Sequence, residues 1–204
     1  MNLDTTQLMA IAAGLGWASG LRLYAVVFLT GLAGFMGWVD LPPGLHLLQH
    51  PLMLGASGLM LFVEFFADKI PGVDTVWDLL HTVVRVPAGA VLAASVFGTD
   101  HATAAAVAGL LGGVLAATSH VAKATTRAAA NTSPEPFSNL GLSLAGDGVV
   151  PLMLWLSWAH PLAFFGVLVL ALVVMVALTW VFAKFLRLLL RRLSTWLGGS
   201  QPST

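Results

Sequence analysis

The sequence predicts an all-α integral membrane protein, a bundle of about six transmembrane helices, some of them broken by glycine or proline. Three observations predict it. Of the 204 residues, 58% are apolar and only 9% are charged, with a mean hydropathy of +0.90, whereas about a quarter of a soluble domain is charged. The apolar residues are gathered into runs of roughly the 20 that a hydrocarbon core about 30 Å thick requires. The basic residues fall in alternate connections, as they do where cytoplasmic loops retain positive charge.

The first element is uncharged from Thr5 to Leu21 and again from Leu23 to Val39, with Arg22 between the two runs. As one helix it would be about 50 Å long, too long for a straight span. Ser19 and Gly20 offer a bend, so the segment reads as one kinked span, with a half-helix followed by a full span as the alternative. Met1-Asn2-Leu3-Asp4 has no basic n-region and no A-x-A site follows, so no cleavage is expected. The second span runs from Pro51 to Ala67 and is apolar until Glu64. The third, Val73 to Phe97, is charged in its first half and has Pro87 at the join. The fourth, Ala102 to Val121, is interrupted only by His120. The fifth, Leu140 to Trp158, carries Asp147 near its middle, and the sixth, Pro161 to Ala183, has no charge.

Lys184, Arg187, Arg191 and Arg192 put the C-terminus in the cytoplasm. Walking back through six spans puts Lys123, Arg127, Lys69 and the N-terminus there too, while Gly37 to His50, Gly98 to His101 and Ala159 to His160 hold no Lys or Arg. Trp38, Trp155 and Trp158 fall at the outer boundary and Trp77 and Trp180 near the inner one, as aromatic belts would. Residues 1–183 thus read as a single transmembrane helical domain and 184–204 as a basic cytoplasmic tail, which reads as a positive-inside anchor continuing the last helix, with attraction of anionic lipid at about 1 kcal/mol per basic residue as the alternative. The lipid bilayer is the expected partner. Small residues every four positions at Ala12, Gly16, Gly20 and at Ala105, Gly109, Gly113, Ala117 suit close helix packing, and a homo-oligomer is compatible with the sequence.

Several function classes drop out. The nine Lys and Arg balance nine Asp and Glu, leaving no basic field for nucleic acid. Without cysteine there is no disulfide, thiolate nucleophile, zinc ribbon or iron–sulfur cluster. G-x-S-x-G, H-E-x-x-H and Walker motifs are missing. His46 and His50 have zinc-compatible spacing but no third ligand beyond distant Asp40, so no metal or other cofactor is expected. Gly146-Asp147 resembles the Gly-Asp dipeptide of intramembrane aspartyl proteases, which need a second carboxylate, and Glu64 is the sole candidate. An enzyme is therefore disfavoured.

Ionisable residues inside a membrane cost roughly 3 kcal/mol or more and usually face a bundle interior with a partner. Arg22 and Asp147 are such residues, of opposite sign. Gly146, Gly148 and Pro151 predict a helix break at Asp147, as Pro87-Ala88-Gly89 does in the third span. That span opens with Asp74, Asp78, His81 and Arg85 on one helix face. The face is a secondary polar stripe, or else belongs to an amphipathic helix in the membrane interface. In the inner loop from Lys123 to Asn139, Pro134 and Pro136 hold Glu135 extended; the loop reads as an entrance or folded-in lining element, the alternative being an ordinary turn with Ser138 or Asn139 capping the next helix.

The sequence predicts that Arg22, Arg127, Asn131, Glu135 and Asp147 converge on one polar site opening toward the cytoplasm. Asp147 would lie about 12 Å deeper than the loop and Arg22 deepest. Such a site suits a small anion, or a zwitterion whose carboxylate meets Arg22 and whose amine meets Asp147. The structural alternative is a buried pair that only fixes helix register.

Gly20-Leu21-Arg22-Leu23-Tyr24, the stretch Val73-Asp74-Thr75-Val76-Trp77-Asp78 continuing to Arg85-Val86-Pro87-Ala88-Gly89-Ala90, and Thr126-Arg127 leading into Asn131-Thr132-Ser133-Pro134-Glu135-Pro136 together resemble a bacterial membrane family catalogued as domain of unknown function 4126. The likeness covers most of the chain up to the fifth span. It implies a membrane protein of a bacterial cytoplasmic (inner) membrane and leaves the activity open. The leading expectation from the residues is a small-solute or ion channel or transporter. Its rivals are a non-transporting scaffold or lipid-interacting protein and, last, an intramembrane enzyme. A cavity reaching Arg22 favours transport, and dry packing around it favours the scaffold.

Overall fold

In a computed structural model, residues 3–99, 101–132 and 136–198 are described, and every regular element among them is helical. There are six α-helices, α1 (Thr5–Phe35), α2 (Pro51–Ala67), α3 (Val73–Ser95), α4 (Ala102–Ala130), α5 (Pro136–Ala159) and α6 (Pro161–Gly198), and a 3₁₀ helix over Pro43–Gln49 before α2. The Asp4 side chain accepts a bond from the Gln7 amide at 2.7 Å, and the Gln7 side chain accepts one from the Asp4 amide at 3.1 Å. This reciprocal box starts α1. Proline opens α2, α5 and α6, where its missing N–H costs nothing. Gly72, at φ +87°, turns the chain between α2 and α3.

The helices α1, α3, α4, α5 and α6 are each long and apolar enough to cross a membrane, and the 3₁₀ helix with α2, bent by 69° at their junction, makes a sixth such unit. The chain is a multi-pass membrane protein with an all-α bundle. The breaks expected at Pro87 and Asp147 are not present. Helix α3 is continuous through Pro87, and α5 through Asp147 and Pro151. Without water the backbone has few partners outside its own helix, and neighbouring helices accommodate proline and glycine.

The break lies instead in α1, at Arg22 itself (φ −147°, ψ 81°). The first arm runs alongside α4 in the same direction, with Gly16 against Gly112, Ser119 Oγ donating to the Trp17 carbonyl at 2.6 Å and Lys123 Nζ to the Leu21 carbonyl at 2.9 Å. It runs against α5, with Gly14 near Ser157 and Arg22 near Ser143. The second arm returns antiparallel to α2, with Phe28 on Gly58 and Gly31 on Leu54. Gln7 and Ala33, which a straight helix would hold about 39 Å apart, line one pocket. Helix α1 is thus a hairpin with Arg22 at its tip, and neither a single kinked span nor a half-helix followed by a full span.

The hairpin also corrects the expectation that both chain ends share one side. Leu3 lines pockets with Phe97 and His101 and with Trp158 and Ala159, at the end of the bundle where α4 and α6 begin. Helix α6 leads away from that end, past Met175 and Leu178 beside Arg22, to Gly198. Two uncharged runs around an arginine do not reveal whether the chain passes that depth or turns there. The arginine can be satisfied only where its carboxylates are, and these all lie in one half of the bundle.

The first arm of α1 is the central element, with Ala10, Ile11, Leu15, Trp17 and Ala18 buried, while Leu162, Val169, Leu170 and Val173 of α6 face outward. A Cβ on Gly16 would lie 2.6 Å from the Gly112 Cα. Small residues let these backbones approach closely, and that contact seats the hairpin tip at its depth.

Candidate functional site

Arg22 is only 2% exposed. Its Nη2 lies 2.8 Å from Asp147 Oδ1 and 3.2 Å from Asp68 Oδ2, and donates to the Ser143 carbonyl and hydroxyl at 3.2 and 3.0 Å. Ser143 and Asp147 are one turn apart on α5 and so share a face. Asp68, the residue that ends α2, is fully buried and collects three cations: Arg22, Lys123 Nζ at 3.0 Å and Arg127 Nη1 at 3.1 Å. Lys69, next in the chain, reaches Asp147 Oδ2 at 3.1 Å and lies over the Phe65 ring.

Behind this cluster, Arg85 of α3 holds Glu64 at 2.8 Å and Asp78 at 2.7 Å, and Lys123 reaches Asp78 at 3.2 Å. Arg127 lies 3.5 Å from Asp74, which also accepts from Asn131 Nδ2 at 3.0 Å. Arg22, Lys69, Arg85, Lys123 and Arg127 thus join Glu64, Asp68, Asp74, Asp78 and Asp147 in one continuous network of zero net charge. That is how charges in hydrocarbon are made tolerable.

Two histidines are bound into its edge. The Thr82 hydroxyl donates to the Asp78 carbonyl, so His120 Nε2–H donates to Thr82 at 2.8 Å and its Nδ1 accepts from Arg85 at 3.3 Å. His81 Nδ1–H donates to the Trp77 carbonyl, and its Nε2 accepts from the Tyr24 hydroxyl at 3.1 Å. These tautomers are assigned from the partners.

A cavity of about 200 Å³ lies beside the tip of α1, between α4, α5 and α6. Arg22, Asp68, Lys123, Arg127 and Ser143 line its floor. Leu142, Val149, Met175 and Leu178 are among its walls. Arg22 Nη1 is buried and has no partner among the described residues. The arrangement sets a buried cation beside a recess with apolar walls.

Of the residues singled out in the sequence, Arg22 and Asp147 are in direct contact, and Arg127 joins them through Asp68. Asn131 is one step further, on Asp74, and Glu135 lies outside the described residues. Lys123 and Arg127 are not in a loop, since α4 continues to Ala130 and Asn131 caps it. Asn139 is inside α5, not a cap. The stripe of Asp74, Asp78, His81 and Arg85 is buried in the network, which argues against a helix in the membrane interface. Glu64 and Asp147, the pair an aspartyl protease would need together, are held by different arginines. Asp68, Lys69 and Lys123 were not foreseen as members. The signal was their common level, because Asp68-Lys69 ends a span on the same side as Lys123 and Arg127.

Residues 9–181 match the model of a family described as Domain of unknown function (DUF4126). The chain belongs to that family. The matched DUF4126 region contains all ten members of the network and ends before Lys184, so the ion cluster lies wholly within the family's domain. No curated protein and no solved structure matches the chain.

Proposed function

We propose that this DUF4126 protein is a small-solute or ion transporter or channel of a bacterial cytoplasmic membrane, taking a small anion or a zwitterion at Arg22. The observation that supports this reading is the cavity that reaches Arg22 at the break in α1. Broken helices beside a cavity are where transporters present backbone and charged groups to solutes. Arg22 and Asp147 supply opposite charges side by side, with Arg127 lining the cavity, Asn131 beyond it on Asp74, and Asp78, His81 and Arg85 behind them. In this reading the C-terminus is cytoplasmic, supported by the basic residues from Lys184 to Arg192, and the N-terminus, at the other end of the bundle, is on the opposite face.

The test is uptake of radiolabelled small anions and amino-acid-like zwitterions into proteoliposomes of the full chain. Uptake above protein-free liposomes, lost in Arg22→Gln, is the expected result. A panel without any uptake by correctly inserted protein would overturn the reading. It would leave the scaffold, which has its own supporting observation in a charge network that sums to zero.

A further inference from the structure

We infer that the cavity at Arg22 binds a single-chain amphiphile with a carboxylate head, drawn from the membrane, with the head on Arg22 Nη1 and the chain leaving sideways between α5 and α6. This rests on the proposed binding role of Arg22 and names the class of its ligand.

Three observations carry it. Arg22 lines the cavity and its Nη1 is a buried cationic donor without a partner among the described residues, and an unmet donor of this kind is costly in low dielectric. A ligand oxygen there would satisfy it. The walls come next. Leu142, Val149 and Leu178 line the cavity and are themselves 36%, 40% and 38% exposed on the outer face of the bundle. In a multi-pass protein that face meets lipid, so the mouth is apolar and opens onto hydrocarbon. Finally, at about 200 Å³ the recess is smaller than the roughly 300 Å³ at which sites for whole drug-sized ligands begin. It accommodates a head and the first part of a chain, the remainder lying in the bilayer.

The charge balance selects the head. The cavity is lined by Arg22, Lys123 and Arg127 against Asp68 alone, which favours an anion. The wider network is already neutral, and of the guanidiniums that line the cavity only Arg22 has a nitrogen buried without a partner among the described residues, which suits one negative charge better than two. A soluble zwitterion would leave the apolar walls facing no complementary surface.

The experiment uses the full chain in nanodiscs of zwitterionic phosphatidylcholine. Binding of radiolabelled laurate is measured alone and in competition with unlabelled acetate or dodecanol. The expected result is saturable laurate binding near one per chain, with neither acetate nor dodecanol competing at equal concentration. Gly146→Leu puts a side chain beside Arg22, where a Cβ would sit 3.5 Å from Nε, while keeping every charged residue of the network. It should lower laurate affinity at least tenfold with the melting temperature retained. Arg22→Lys keeps the charge but has no atom at Nη1, and should lower laurate affinity as well, with some loss of stability because the contacts of Nη2 with Asp147, Asp68 and Ser143 are not reproduced.

Dodecanol competing as well as laurate would overturn the inference by showing that the head is irrelevant. Unchanged laurate binding in folded Gly146→Leu would overturn it by moving the site elsewhere. Acetate binding as tightly as laurate would overturn it while leaving the small-solute reading standing. Saturable laurate binding with no solute uptake in the liposome assay would uphold it and sink transport instead.

Discussion

Lys123 Nζ lies 2.9 Å from the Leu21 carbonyl oxygen, immediately before the break in α1. A helix that stops at Arg22 leaves carbonyls without their amide partners four residues on, and in a bilayer no water is at hand to replace them. The ammonium of α4 fills one such place while also holding Asp68 and Asp78. One side chain therefore ties the tip of the hairpin to α2, α3 and α4.

Lys123→Met keeps the length of the stem and removes all three partners, leaving two buried carboxylates short of a cation. Breaking a buried pair from one side costs about 3–5 kcal/mol. Lys69→Met removes a partner of Asp147 from a position 17% exposed, nearer the regime where a pair contributes about 0–1 kcal/mol. Thermal unfolding in detergent should rank Lys123→Met well below Lys69→Met. Equal losses would mean that the Leu21 contact is not held in solution.

Arg22 and Asp147 contact each other at 2.8 Å, so their substitutions should not add. Arg22→Ala leaves Asp147 with Lys69 alone and Asp68 with Lys123 and Arg127, and Asp147→Ala releases one constraint on a guanidinium that still has Asp68. The double variant should be more stable than the sum of the singles predicts, with a coupling of about 0.5–3 kcal/mol. Additive losses would place the interaction outside the folded state.

How far these contacts could be read beforehand depends on what kind of signal each one leaves. The spans announce themselves because hydrocarbon demands long uncharged runs, and Pro161 to Ala183 could hardly be anything else. Arg22 and Asp147 stand out because each is a charge within such a run. Asp68 does not, because it follows α2 where any turn would carry a polar residue, and only three-dimensional packing shows three cations meeting on it. The reversal at Arg22 was hidden for a related reason. Hydropathy measures what surrounds a residue and carries no direction, so an arginine at the turning point of a hairpin and one in the middle of a span look alike.

Close approach of α1 and α4 gives a prediction independent of charge. Gly16→Ala would place a Cβ 2.6 Å from the Gly112 Cα, and neither backbone can yield without moving the hairpin. Overpacking of this kind costs about 1–3 kcal/mol. Gly55→Ala, on α2 with nothing within 4 Å of its Cβ, should be neutral or slightly stabilising because alanine favours helix over glycine by about 1 kcal/mol. If the two variants melt together, the Gly16 contact is not tight.

The re-entrant course of α1 is open to a direct test, because the chain has no cysteine and single cysteines need no background substitutions. Thr6 and Thr99 are exposed at the end of the bundle where α4 begins, and Ile70, 52% exposed, lies at the opposite end after α2. In right-side-out and inverted vesicles, a membrane-impermeant maleimide should label Thr6→Cys and Thr99→Cys from one face and Ile70→Cys from the other. A single kinked span would move position 6 to the face of position 70. Labelling of Thr6→Cys together with Ile70→Cys would therefore refute the hairpin. It would also detach Arg22 from the carboxylates at that end, because a first arm entering from the Ile70 side would carry Arg22 about 26 Å away from that face.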